Sequence, residues 1–289
     1  FPLLFCLRKY KAEFLIMHLI TSLPLFLMRN FKIKTKFILR ISGMPKLNIL
    51  RKYSWKKSEK KLFKITCPTT ELKFKIESEK IFEKNKICFL QDAIINLDNF
   101  EHSKNSTLNL NTNKKIILSA GRLTKQKNFQ YLIKEYDKFL KFSDDYDLLI
   151  LGDGEDRNKL LNLINLLKLQ KRVHLIGRVD NVYDYMENSN LFILSSLWEE
   201  LGFVIVEAAF KNLFIISSNC PNGPSEFIEK DKGGILFENN KENSLANALN
   251  SFLKIENGFK RKLYAKRKSH FYTKFKHHLN LHDILKNEN

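Results

Sequence analysis

The sequence predicts an α/β protein of two doubly wound domains facing a cleft, the first of them incomplete. Short apolar runs alternate with amphipathic segments along almost the whole chain, which is the pattern of parallel strands joined by crossover helices. The 289 residues suit two domains of ordinary size. A stretch poor in apolar residues, Asp98 to Lys115, is the natural linker between them. At 44% apolar and 28% charged, the composition excludes a disordered chain.

In the first hundred residues the runs "AEFLIMHLI", "TKFILRISG", "LFKITCPT" and "KICFLQDAII" read as strands, with amphipathic segments such as "WKKSEKKLFK" between them. Ala12 to Met28 is the one membrane candidate. It is short and interrupted by His18, Thr21, Ser22 and Pro24, so a buried strand followed by a helix with Pro24 in its first turn fits better than a span. The chain opens on Phe1 inside an apolar run rather than on Met, and its natural N-terminus is expected to be missing. The predicted division is a partial first domain over 1–110, a second domain over 111–258 and a C-terminal return helix over 259–289.

Past the linker the alternation is regular. "KIILSAG", "DLLILGDG", "RVHLIGRV", "NLFILSS", "FIISSN" and "GILFEN" read as strands, each followed by a helical segment. After "SLANALNSFL" the chain stays helical with a break at Gly258. The part containing Phe271, Tyr272 and Phe275 fits either a solvated helix or one that returns to the first domain.

The 50 Lys and Arg against 31 Asp and Glu leave a net +19. Codon bias toward Lys, Asn, Ile and Phe is one explanation. The uneven placement suggests another, because Arg29 to Lys64 holds thirteen basic residues and one acid, Glu59, a local field suited to an anionic membrane or a phosphorylated substrate. Nucleic acid is not an expected partner, since no zinc-finger spacing or RNP-like aromatic pattern accompanies the charge. The four cysteines, Cys6, Cys67, Cys88 and Cys220, lack paired spacing and read as core residues in a reducing compartment.

In an open parallel sheet the ligand crevice lies outside the carboxyl ends of the strands. The first strand of the second domain runs into Gly121, Arg122 and Lys127, where a tight turn and two cations can meet a diphosphate; the alternative is two ordinary surface cations. Gly152 and Gly154 supply only half of a dinucleotide fingerprint. Gly177 ends the third strand, where free backbone groups could meet a base edge. After the fourth strand, "SSLWEELGFVIVEAAF" places Glu199 in a loop and Glu207 inside an apolar helix that starts near Gly202 and Phe203. Glu207 has no evident polar face among its neighbours, and a buried carboxylate needs donors, which ligand hydroxyls would supply.

The pair Glu199 and Glu207 with Gly202 and Phe203 between them resembles the E-x7-E signature of retaining glycosyltransferases of family 4, which have the GT-B fold of two Rossmann-like domains. "SAGRLTKQKN", "LLILGDGEDRNKL", "VHLIGRVDNV" and "NCPNGPSEFI" resemble further family segments in the family's order, over roughly residues 114 to 255. The resemblance implies that Arg122 and Lys127 contact the donor diphosphate and Glu199 the donor-sugar hydroxyls, these three forming the catalytic set. Glu207 would hold the ribose, the turn Gly177, Arg178 and Val179 the base, and Gly121, Gly202 and Phe203 would offer backbone to the donor. Asn212 stands where the family often has Gly, and a left-handed Asn keeps that turn. The histidine that many members carry after the strand "KFILRIS" is missing, with Arg40, Ser42 and Gly43 nearby.

The implied activity is transfer of a hexose from a nucleotide-diphosphate donor, most commonly a UDP-sugar, to a hydroxyl of a glycan or lipid-linked acceptor in cell-surface glycan or polysaccharide synthesis. The nucleotide-sugar is a co-substrate and no separate cofactor is expected. No acidic metal-binding cluster is singled out in the sequence, so no metal is expected. The implied location is cytoplasmic, peripheral at the inner face of the membrane, with an anionic surface as a further partner. A non-catalytic basic binding module is the alternative.

Overall fold

The computed structural model describes residues 2–18, 21–97, 113–229, 232–255 and 258–286. All but the last three residues of the expected linker fall outside them. The chain separates into two compact units, Phe1–Asp92 with His277–Asn289, and Ala93–Lys276.

The first unit is a four-stranded parallel sheet in the order β1 (Phe14–Met17), β2 (Lys36–Arg40), β3 (Leu62–Cys67), β4 (Ile87–Phe89). The helices α1 (Pro2–Tyr10), α2 (Ser22–Asn30), α3 (Ile49–Ser58) and α4 (Thr70–Ser78) alternate with the strands. Pro24 is the third residue of α2, where its missing N–H costs nothing. Asn48 and Thr69 start α3 and α4 by accepting the N–H groups of Arg51 and Leu72 at 2.8 and 3.2 Å. The core joins Leu25 and Met28 of α2, Trp55 of α3 and Ile76 of α4 to Phe37, Leu39 and Ile65 on the strands. No helix of the described residues is long and apolar enough to cross a membrane.

The second unit is a six-stranded parallel sheet. Its strands are β5 (Lys115–Ala120), β6 (Tyr146–Leu151), β7 (Val173–Gly177), β8 (Leu191–Leu194), β9 (Phe214–Ser218) and β10 (Ile235–Phe237). They lie in the order β10-β9-β8-β5-β6-β7. The joining helices are α5 (Phe129–Phe139), α6 (Arg157–Leu166), α7 (Val182–Glu187), α8 (Phe203–Phe210) and α9 (Gly223–Ile228). After β10 come α10 (Ser244–Leu253), α11 (Phe259–Ser269) and, in the first unit from His277 onward, α12 (Lys274–Lys286). Alternate residues of each strand feed two cores: Ile117, Leu148 and Ile150 face α5 and α10, while Leu118, Leu149 and Leu151 face α7 and α8. This explains why the strands read as unbroken apolar runs.

The unit boundaries fall at Asp92 and Lys276 rather than near 110 and 258, because the flanking segments are tied into the second unit. The N–H groups of Ile94 and Ile95 donate to Tyr272 O at 2.9 and 3.0 Å, and Lys274 N–H donates to Ile95 O at 2.9 Å. Ala265 of α11 and Tyr272 are buried in that unit's core. The expected return helix is therefore two helices, and only the second joins the first unit, where His277 Nδ1 bonds Gln91 O at 2.6 Å and Asn280 donates to Gln91 Oε1 at 2.9 Å. The cysteines also divide. Cys67 and Cys220 are core residues whose thiols burial pushes up to about 12 and about 11. Cys88 is half-buried, and Cys6 is exposed because α1 turns Leu4 and Leu7 inward instead.

One buried acid ties α10 to the fold. Glu135 is 2% exposed, and its carboxylate accepts Asn243 N–H and Ala246 N–H, each at 3.2 Å, together with the Lys138 ammonium at 2.9 Å. Removing it strands two backbone donors. Glu135→Ala is expected to lower the unfolding free energy in urea by about 2–4 kcal/mol, with Glu135→Gln recovering part of it. An unchanged midpoint for the alanine variant would remove the carboxylate from this role.

Candidate functional site

The chain moves outward from β5 through β6 to β7, then returns to place β8 on the other side of β5. The loops leaving β5 and β8 therefore diverge from adjacent strands, and the crevice of an open parallel sheet forms at that switch point.

Glycines hold the strand-end turns together. Gly121 N–H donates to Leu151 O at 2.9 Å and Gly152 N–H to Gly177 O at 2.7 Å. A Cβ on Gly152, whose φ is +127°, would lie 2.0 Å from Gly121 O, and one on Gly154 would lie 2.5 Å from Leu123 O. These two glycines let neighbouring turns touch. That accounts for the half fingerprint in the sequence, which serves turn packing.

The β5 loop turns through Lys125–Lys127 into Asn128 at φ +55°, and α5 follows. This aims Lys127 at the loop after β8, where its ammonium pairs with Glu199. Ser196 Oγ donates to Glu199 Oε1 at 2.6 Å and Ser195 Oγ to Lys127 O at 2.7 Å. Backbone stitches fix the two loops further: Leu197 N–H donates to Gln126 O at 2.8 Å and the Gln126 amide to Trp198 O at 2.9 Å. The Lys127 and Glu199 side chains are only 15% and 9% exposed, so each is held by the other in a largely dehydrated pocket.

The turn before α9 closes this loop from beneath. Asn222 Nδ2 donates to Glu199 O at 3.2 Å and Gly223 N–H to Glu200 O at 2.6 Å. A Cβ on Gly223 would sit 2.1 Å from Leu201 Cα. Gly223→Ala is expected to push the Glu199 loop away at a cost of about 1–3 kcal/mol, seen as a lower melting temperature; a variant that melts like the parent would contradict this packing.

Gly202, at φ +75°, is the N-cap of α8, and Phe203 opens the helix with its ring 49% exposed. Glu207 follows on the same helix among buried Ile205, Val206, Ala208 and Ala209. Desolvation raises its carboxyl to about 7, opposed by a hydrogen bond that Tyr183 Oη donates to Glu207 Oε1 at 3.2 Å. The Lys211 ammonium lies 5.5 Å from the Tyr183 ring centre and pairs with Glu187. The donor expected only from a ligand is thus supplied in part by α7.

Among the expected residues, the fold brings Lys127 and Glu199 into contact and sets Glu207 apart, with Tyr183. Arg122 and Arg178 are exposed, Val179 is half-buried, and Gly177 at φ +91° has open space where a side chain would stand. Tyr183, Ser196 and Asn222 were not among the expected residues. For Ser196 a signal existed, because the apolar strand ends in two serines; nothing in the spacing singles out Tyr183 or Asn222. The left-handed turn at Asn212 is present, at φ +63°.

Comparison with known proteins places these features. The family described as glycosyl transferases group 1 matches residues 101–270, more than half of the chain. An uncharacterized glycosyltransferase of Methanocaldococcus jannaschii is 33% identical over 251 residues, covering 79% of this chain and 61% of its own length. The N-acetylgalactosamine-N,N'-diacetylbacillosaminyl-diphospho-undecaprenol 4-alpha-N-acetylgalactosaminyltransferase of Campylobacter jejuni is 33% identical over 158 residues, covering 54% of this chain and 42% of its own. The chain thus spans less than two thirds of the length of either relative. A glycosyltransferase structure from Rickettsia africae superposes with a TM-score of 0.84 at 20% identity, covering 99% of this chain and 80% of that one. S. aureus TarM, in complex with fondaparinux, alpha-GlcNAc-glycerol and UDP, superposes at 0.74 with 19% identity, covering 99% of this chain and 58% of TarM. The two parallel α/β units are those of the GT-B fold. On the family match over residues 101–270, the chain belongs to the group 1 glycosyl transferases.

Proposed function

We propose that the chain carries the donor site of a retaining family 4 hexosyltransferase that takes its sugar from a UDP-sugar. The observation that carries this is the buried Lys127–Glu199 pair at the β5/β8 switch point, with a second carboxylate, Glu207, in the helix that follows. In the reaction, negative charge grows on the departing diphosphate, where Arg122, Lys127 and the N–H groups at the start of α8 stabilise it. Lys127 can turn from Glu199 to phosphate if the carboxylate gains other donors, and sugar hydroxyls are such donors. Glu207 takes the ribose hydroxyls, and the turn at Gly177, Arg178 and Val179 takes the base. Attack comes from the face that the leaving group vacates, assisted by the leaving phosphate, so configuration is retained without a divalent ion.

The acceptor is proposed to be a glycan, free or lipid-linked, of a cell-surface polymer; the Campylobacter relative's printed name, with its diphospho-undecaprenol substrate, supports a lipid-linked one. The basic run Arg29 to Lys64 is proposed to hold the enzyme against the cytoplasmic face of an anionic membrane. Vesicle sedimentation with phosphatidylglycerol at low salt should pull the protein down, and protein left in the supernatant would reject attachment.

A thermal-shift screen of UDP-, GDP- and ADP-sugars tests the donor assignment. UDP-sugars should raise the melting temperature of the parent and fail with Glu207→Ala; equal shifts for both would remove Glu207 from the ribose. Proton NMR of the product in EDTA should show the anomeric configuration of the donor, and inversion or a metal requirement would overturn the mechanism.

A further inference from the structure

The first unit contains a cavity of about 140 Å³ at the carboxyl ends of β1 and β2, the side on which open parallel sheets take their ligands. Trp55, 5% exposed, contributes to its apolar wall. Its polar lining is strongly one-sided: His18, Arg40 and Arg51, with the hydroxyls of Thr21 and Ser42 and no carboxylate. His18 Nε2 and Ser42 Oγ lie 3.0 Å apart, an exposed hydrogen bond between two of the lining residues.

The two arginines are positioned differently. Arg40 is fixed by an ion pair with Asp92, its side chain 13% exposed, which holds the guanidinium in place at the end of β2. Arg51, in the first turn of α3, is exposed and donates from Nη1 to Lys46 O at 2.8 Å. No other described group takes the remaining donors of Arg51, and the Thr21 hydroxyl makes no bond to the α2 terminus it precedes. Donors from separate segments thus line one cavity, and Arg40, Ser42 and Arg51 fall within the segment that holds thirteen basic residues and one acid.

We propose that this cavity binds a phosphate group of the acceptor, held between Arg51 and Arg40 with hydrogen bonds from Ser42, Thr21 and His18. Arginine forks match phosphate oxygens, and bonds between charged partners are about twice as strong as neutral ones. The assignment to the acceptor rests on the glycosyl transfer reading; the phosphate site itself does not. Desolvation and the Arg40 charge lower the His18 pKa, whereas a phosphate dianion beside the ring would favour its protonated form.

The test follows the His18 ring signals of the full chain by NMR during titration with inorganic phosphate, at ionic strength held constant with chloride. Saturable movement of His18 is expected, weakened at least about ten-fold in Arg51→Ala and in Ser42→Ala and retained in Lys127→Ala. His18 signals that stay still, or that move equally in Arg51→Ala, would overturn the site. In a second arm, phosphatidylglycerol vesicles replace phosphate; movement with vesicles and none with soluble phosphate would overturn the acceptor assignment in favour of a bilayer contact. Transfer assays complete the test, with Arg51→Ala expected to raise the KM for a phosphate-bearing acceptor about ten-fold and to leave the donor KM unchanged. An acceptor lacking phosphate that is used equally well by parent and variant would remove the acceptor role. Because the phosphate titration needs no donor, its failure is separate from failure of the UDP-sugar screen.

Discussion

Lys127→Ala is expected to reduce transfer by about 10²–10³-fold, the loss typical of removing one preorganised group that meets developing charge, and to destabilise the protein as well. In the resting fold Lys127 is the cation opposite Glu199, and both side chains lie largely out of water. Deleting it leaves a buried carboxylate that, among the described residues, keeps the Ser196 hydroxyl as its side-chain donor. Breaking a buried pair from one side costs about 3–5 kcal/mol, whereas removing both partners costs far less. Chemical denaturation of Lys127→Ala, Glu199→Gln and the double variant should therefore show strong coupling, with the double variant more stable than Lys127→Ala alone. Additive effects would mean that the pair is not the unit described. Activity should not return in the double variant, because the cation proposed to meet the diphosphate is still missing.

Glu207 should make both stability and donor affinity depend on pH, in opposite directions. Its carboxyl is raised to about 7 from 4.5 by desolvation, so between those values the folded chain binds a proton that the unfolded chain has released. Stability contributed by Glu207 is full below about pH 4.5, declines as pH rises, and is flat above about 7, a total on the order of 3 kcal/mol. Glu207→Gln should flatten that decline in denaturation curves measured from pH 5 to 8. Donor affinity should run the other way, since only the ionised carboxylate accepts both ribose hydroxyls. The Kd for a UDP-sugar should fall as pH rises through about 7 in the parent, and in Glu207→Gln it should be about ten-fold weaker and insensitive to pH. A parent profile as flat as that of the variant would show that Glu207 does not meet the donor.

Much of this arrangement was legible in the residues. The six strands of the second unit were readable because each is buried on both faces and so appears as an unbroken apolar run. Glu199 and Glu207 stood out because a carboxylate inside such a run has no cheap explanation. Contacts between distant loops were not legible. The Lys127–Glu199 pair spans 72 residues, and the Tyr183–Glu207 bond joins two helices; no local period encodes either. The boundaries were misplaced for a similar reason, since the backbone bonds of Ile94 and Ile95 to Tyr272 carry no compositional signal. The cavity around His18, Arg40 and Arg51 likewise arises from three separate elements.

Calorimetric titration of the full chain with a UDP-sugar at pH 8 in EDTA tests whether Lys127, Glu199 and Glu207 form a nucleotide-sugar site. One saturable site is expected in the parent, weakened about ten-fold or more in both Lys127→Ala and Glu207→Gln. Absence of binding for UDP-, GDP- and ADP-sugars alike, or binding that both variants leave untouched, would contradict it.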